Sequence, residues 1–127
     1  MKFGIKELQI EVHENAIEHG WWEEERTFGE LIALCHSELS EALEEFRKGK
    51  HPTESYHKCK KDDFCVNDKV CNWCKWGKPE GVPSELADTF IRILDMAEHY
   101  GINLELAIRE KHEFNKGRPY KHGGKVI

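Results

Sequence analysis

Two pairs of carboxylates carry most of the chemistry open to this chain. Glu38 and Glu41 stand three residues apart in His36-Ser37-Glu38-Leu39-Ser40-Glu41-Ala42-Leu43-Glu44-Glu45, and Glu85 and Asp88 do so in Ser84-Glu85-Leu86-Ala87-Asp88. On a helix that spacing puts both acids of a pair on one surface. Close carboxylates repel each other unless solvent, salt or a bound cation offsets the repulsion. If the two acidic faces meet, four oxygen donors without thiolate or imidazole suit magnesium or manganese better than zinc or copper. A site of that charge could hold more than one divalent ion, bridge phosphate oxygens and lower the pKa of a bound water. The same acids also fit two solvated helix faces, and periodicity does not decide between the readings.

Sulfur forms the second cluster. Cys59, Cys65, Cys71 and Cys74 are spaced C-x5-C-x5-C-x2-C. The pair Cys71-Asn72-Trp73-Cys74 has the short spacing by which two thiolates reach one zinc, and four sulfurs complete a tetrahedral structural site. His57 is an alternate ligand, and free thiols in an insertion are the other reading. A Glu-x-x-His on each of two helices would indicate a di-iron bundle. Glu54-Ser55-Tyr56-His57 alone fits that spacing and lies in irregular sequence, so di-iron is set aside. A nucleotide-binding glycine loop, a Ser-His-Asp set and a catalytic-cysteine signature are not evident either.

Four helices are expected to position these groups. The first covers residues 3–18, where Ile5, Leu8, Val12 and Ile17 approximate a stripe and Gly20 is the stop. Trp21-Trp22 then falls in a loop, suited to core packing or to a flat wall for a nucleobase. The second helix opens on a capping box, Thr27 with Glu30, and runs to about residue 48 before Gly49. Its apolar stripe is Phe28, Leu31, Ile32, Cys35, Leu39, Ala42, Leu43 and Phe46, with Glu38 at its border and Glu41 further round. Cys35 reads there as a small buried hydrophobe. Residues 50–82 break the periodicity and form an irregular, cysteine-rich insertion. A loop of such length is uncommon unless function, disorder or a bound group accounts for it. Pro83 starts the third helix and Gly101 ends it. The arc Leu86, Phe90, Ile93, Leu94 and Ala97, widened by Ile91, is broad enough for more than one neighbour. Asn103 caps the fourth helix, which carries Leu104, Ala107, Ile108 and Phe114 and later Lys111, Asn115 and Arg118. The pattern contains no convincing strand.

At 127 residues the chain suits one domain with a real core. Its formal charge of −5 argues against binding to a nucleic-acid polymer, which takes a basic excess or stripe. A small anion held by a metal and local cations stays open. No apolar run approaches the roughly 20 residues of a membrane span. The start, Met1-Lys2-Phe3-Gly4-Ile5-Lys6-Glu7, becomes charged too soon for a secretory signal. The expectation is a cytoplasmic protein with no membrane role, whose reduced cysteines favour a metal site over disulfides.

Glu38-x-x-Glu41 followed by Glu85-x-x-Asp88 on the next helix resembles the MazG-like, all-alpha NTP pyrophosphatase superfamily. The setting is similar too. Phe28-Gly29-Glu30-Leu31-Ile32-Ala33-Leu34 leads into the first pair, and Pro79-Glu80-Gly81-Val82-Pro83-Ser84 leads into the second. The ending from Lys111-His112-Glu113-Phe114-Asn115 to Arg118-Pro119-Tyr120-Lys121-His122-Gly123-Gly124 looks like that of small phage and bacterial members. The resemblance spans the chain except about residues 51–78. It implies an all-α, antiparallel four-helix bundle that forms homodimers or homotetramers. It also implies magnesium-dependent hydrolysis of an NTP or dNTP to the monophosphate and pyrophosphate. In that frame Glu38, Glu41, Glu85 and Asp88 are metal ligands, and Lys111, Asn115, Arg118 and His122 are candidates for the phosphates. Asn15 and Trp22 are candidates for the base or sugar. The insertion separates the acidic pairs by more than the family pattern does; it could cap the site, alter substrate choice or mediate assembly. The competing expectation is a non-catalytic helical interaction protein whose zinc-held insertion binds a partner.

Overall fold

The helix start signals act where the sequence places them. The computed structural model describes residues 4–58 and 77–120, and the cysteines at 59, 65, 71 and 74 and His122 lie outside that range. Helix α1 spans Ile5–Glu18, two residues shorter at its start than the periodicity predicts. The tryptophans expected in a loop form a 3₁₀ turn, Trp21–Glu23. Helix α2 spans Phe28–Arg47, and its capping box is complete: the Thr27 side chain accepts from the Glu30 backbone N–H, and the Glu30 side chain accepts from the Thr27 backbone N–H. Both bonds satisfy N–H groups that a helix start leaves without intrahelical partners. Helix α3 spans Val82–His99 and helix α4 spans Leu104–Lys116. Asn103 caps α4 by accepting from the Leu106 N–H at 3.1 Å.

The irregular segment departs from expectation at both of its ends. Strand β1 (Tyr56–His57) pairs antiparallel with β2 (Pro79–Glu80), Tyr56 opposite Glu80 and His57 opposite Pro79. The Lys58 N–H donates to the Lys78 carbonyl at 3.0 Å and extends the ladder. Two-residue strands are too short to show an alternating pattern, which is why the sequence does not announce them. Gly81 follows at φ 107°, and a Cβ there would collide with the Glu54 carbonyl oxygen. Only glycine lets the two arms approach so closely and turn directly into α3. The described residues are therefore mostly helical, with one small two-stranded sheet.

Contacts divide the chain into two compact units. The first comprises Met1–Glu23 and Leu94–Ile127, and the second Glu24–Ile93. In the first unit α1 contacts both the 3₁₀ turn and α4. Gln9 is buried on α1, and its amide donates to Glu98 at 2.9 Å and to the Ile102 carbonyl at 3.0 Å. Leu94, Met96 and Ala97 are buried on the later half of α3, whereas α4 buries none of its residues. In the second unit Leu31, Cys35, Glu38 and Ala42 form the buried face of α2. That face is displaced from the expected stripe. Leu39, Leu43 and Phe46 are exposed, and Glu38, expected at the border, is buried. Composition sets where a helix is most apolar; the neighbouring element sets which flank is covered. Among the described residues no helix is long and apolar enough to cross a membrane.

Candidate metal centre

The acidic site is built wholly within the second unit. Glu38 and Glu41 lie one turn apart on α2, and Glu85 lies in the first turn of α3, where a helix N-terminus favours negative charge. One carboxylate oxygen from each of the three can be chosen so that all lie within 4.8 Å of one another. A second set shares Glu85 and adds Glu45 of α2 and Glu80 of β2. Asp88, expected in the first set, belongs to neither, although it is half-buried and feels the charge of Glu38. The structure thus brings three of the four expected carboxylates together and recruits two more.

Electrostatics records the crowding. Burial and hydrogen bonding with Glu41, reinforced by the charges of Asp88 and Glu38, push the Glu85 carboxyl up to about 7. Burial pushes Asp88 up as well, with Glu38 adding and Lys78 opposing. Glu38 goes the other way. Burial alone would raise it, but its bond to the Arg92 guanidinium and its hydrogen bonding with Glu41 and Glu85 outweigh that effect and hold it below its usual value. Arg92 Nε donates to Glu38 Oε1 at 2.7 Å, which fixes this carboxylate against α3. Cys35 is buried near this pair as expected, and burial raises its thiol.

A cleft of about 310 Å³ opens beside these acids, lined by Glu41, Glu44, Glu45, Glu80 and Glu85 and by Lys48, Lys58 and Lys78. The β-ladder is keyed to the acidic side of α2 by Tyr56, whose hydroxyl donates to both Glu45 oxygens at 3.0 Å. Burial and the Glu45 carboxylate push that phenol up to about 12. The Lys50 ammonium sits 4.5 Å from the centre of the same ring.

Several of these residues escape a reading confined to the two acidic pairs. Glu45 follows Glu41 by four residues, and Arg92 follows Asp88 by four, so helical spacing places each on the expected acidic face. Glu80, Lys58 and Lys78 reach the cleft through strand pairing, for which the sequence carries no local signal.

The other expected site residues belong to the first unit. Lys111 and Asn115 are exposed on α4, and Arg118 is exposed just beyond it. The Lys111 ammonium and the Arg118 guanidinium each lie 5.6 Å from the centre of the Phe114 ring. Asn15 is exposed on α1. Trp22 stacks on His99, ring centres 3.9 Å apart and planes 7° from parallel. Its indole N–H donates to Asp95 at 2.9 Å, and His13 Nδ1 meets the same Asp95 oxygen at 2.7 Å. One face of Trp22 is thus covered by protein.

Three oxygen donors at this separation, without nitrogen or sulfur, fit a hard divalent cation. The raised carboxyl of Glu85 marks the repulsion that such an ion relieves. Comparison of the chain with protein-family models, curated proteins and solved structures yields no match.

Proposed function

We propose that the protein is a magnesium-dependent nucleoside triphosphate pyrophosphohydrolase of MazG-like type, converting an NTP or dNTP and water to the monophosphate and pyrophosphate. The observation that carries the reading is the convergence of Glu38, Glu41 and Glu85 from two helices on one small volume. Magnesium, or manganese in its place, would be held by these three carboxylates, with Asp88 adjacent, and would supply an acidified water and charge neutralisation for phosphate oxygens. The chain's own residues prepare the site. Arg92 holds Glu38 in position and keeps it ionised. Buried Glu85 supplies a fixed donor on α3, and exposed Glu41 faces the cleft through which a triphosphate enters. In the reaction the water oxygen bonds to the α-phosphorus and its proton passes to solvent, the bond to the bridging oxygen breaks, and that bond's electron pair leaves with pyrophosphate.

The remaining assignments follow from the same reading. Lys111, Asn115, Arg118 and His122 are candidates for the phosphates, Asn15 and Trp22 for the nucleoside, and Cys59, Cys65, Cys71 and Cys74 for a structural zinc. A cytoplasmic homodimer or homotetramer with the four-helix bundle architecture suits the exposed apolar residues Leu39, Leu43 and Phe46 on α2 and Leu86 and Phe90 on α3. Such runs at helical spacing usually meet another surface.

The test is a panel of canonical and modified NTPs and dNTPs with magnesium, scored for pyrophosphate. Wild type is expected to release it from at least one of them. Glu41→Gln and Asp88→Asn are each expected to lower turnover by about a hundredfold or more while circular dichroism retains the helices. Full activity in either folded variant removes that residue's assignment, and full activity in both removes the site. A wild type inert on the whole panel, with loss of partner binding after Cys71→Ser, would favour the interaction protein instead.

A further inference from the structure

Two of the three lysines of the cleft have no ion pair with the acids around them among the described residues. Among the described residues neither Lys48 nor Lys58 makes an ion pair, and Lys78 reaches Glu80 only at 3.6 Å with its own side chain 70 % exposed. Lysines serving as counter-ions for the carboxylates would be paired with them. Their backbone placement, in contrast, is held by specific contacts. Lys58 and Lys78 face each other across the end of the β-ladder through the 3.0 Å backbone bond. Tyr56 ties one arm to Glu45. On the other arm the Ser84 hydroxyl donates to the Pro79 carbonyl at 3.0 Å, fixing the strand to the start of α3. Both lysines line the same cleft as Glu41 and Glu85.

We infer that Lys58 and Lys78 form the cationic wall of the cleft and hold the departing pyrophosphate end of the substrate. This inference rests on the hydrolase reading and adds two residues to it from the base of the cysteine-bearing insertion. A triphosphate brings several negative oxygens into a cleft already rich in acids. The carboxylate side can accept them only behind a divalent ion, and the opposite wall needs fixed positive charge. Lysine suits that task as a compact charge on a long stem, able to follow the phosphates as the anhydride bond opens. These lysines position and neutralise; no proton transfer to the leaving oxygen is assigned to them.

The test compares wild type with Lys58→Ala/Lys78→Ala and with Lys58→Arg/Lys78→Arg. On the best nucleotide of the panel, the alanine pair is expected to raise KM about tenfold or more with a smaller change in kcat, and the arginine pair to recover most of the loss. Magnesium pyrophosphate binding, measured by calorimetry, is expected to weaken by a similar factor in the alanine pair. A merely structural role would move thermal stability and would not be rescued by charge. Unchanged KM and pyrophosphate binding in the alanine pair, with Glu41→Gln inactive, would overturn the inference and leave the hydrolase reading standing. If wild type turns over no nucleotide, the hydrolase reading falls, and the calorimetry still decides whether these lysines hold pyrophosphate.

Discussion

Helix α3 carries two buried carboxylates, Glu85 at 6 % exposure and Asp95 at 8 %, and the protein treats them in opposite ways. Asp95, in the first unit, is provided for. It accepts from the Trp22 indole and pairs with His13, while the Trp22 ring stacks on His99. Glu85, in the second unit, is surrounded by Glu41, Glu38, Asp88, Glu45 and Glu80 and is pushed up to about 7. A buried acid with its own donors is a piece of architecture. A buried acid among other acids is tolerable only with protons or a cation to hand, and that is the physical ground for proposing the metal centre at Glu85 and not at Asp95.

The contrast can be broken most directly at Asp95. Asp95→Ala leaves the Trp22 and His13 nitrogens without their acceptor and is expected to cost about 3 kcal/mol of stability, read by denaturant unfolding. An unchanged midpoint would mean that the cluster is not structural. Gly81→Ala comes next. With φ at 107° and the Glu54 carbonyl in the way, it is expected to cost about 2 kcal/mol and to disturb the start of α3 beside Glu85. The third way to break the contrast is a pH dependence at Glu85 itself. Its carboxyl rises from 4.5 to about 7 on folding, so its contribution to stability is complete below pH 4.5 and is lost as pH rises through about 7. The metal-free protein should therefore lose stability across that interval, magnesium should restore it above pH 7, and Glu85→Gln should flatten the pH dependence. Thermal midpoints taken with chelator and with magnesium check all three; a midpoint insensitive to magnesium at pH 8 would count against a cation at this site.

Local chemistry made much of the fold legible. Thr27 with Glu30 and Asn103 announce helix starts because each satisfies specific backbone N–H groups, and Gly101 at φ 70° stops α3 near the expected place. Glu38, Glu41 and Glu85 were legible as candidates from spacing alone. Their meeting was not, because it depends on how α2 and α3 pack. For the same reason the buried face of α2 falls on Leu31, Cys35, Glu38 and Ala42, while the strongly apolar Leu39, Leu43 and Phe46 stay exposed. Glu80 could not have been found by periodicity, since it depends on a two-residue pairing formed across the insertion.

That pairing has one more consequence. Lys58 and Lys78 are joined backbone to backbone, so the two ends of the sequence between them are held side by side. Once two chain ends are held together, the entropic cost of what joins them changes slowly with its length, so this neck is a natural splice junction. Trimming the stretch to a short turn, or exchanging it for an unrelated module, should leave the helices in register.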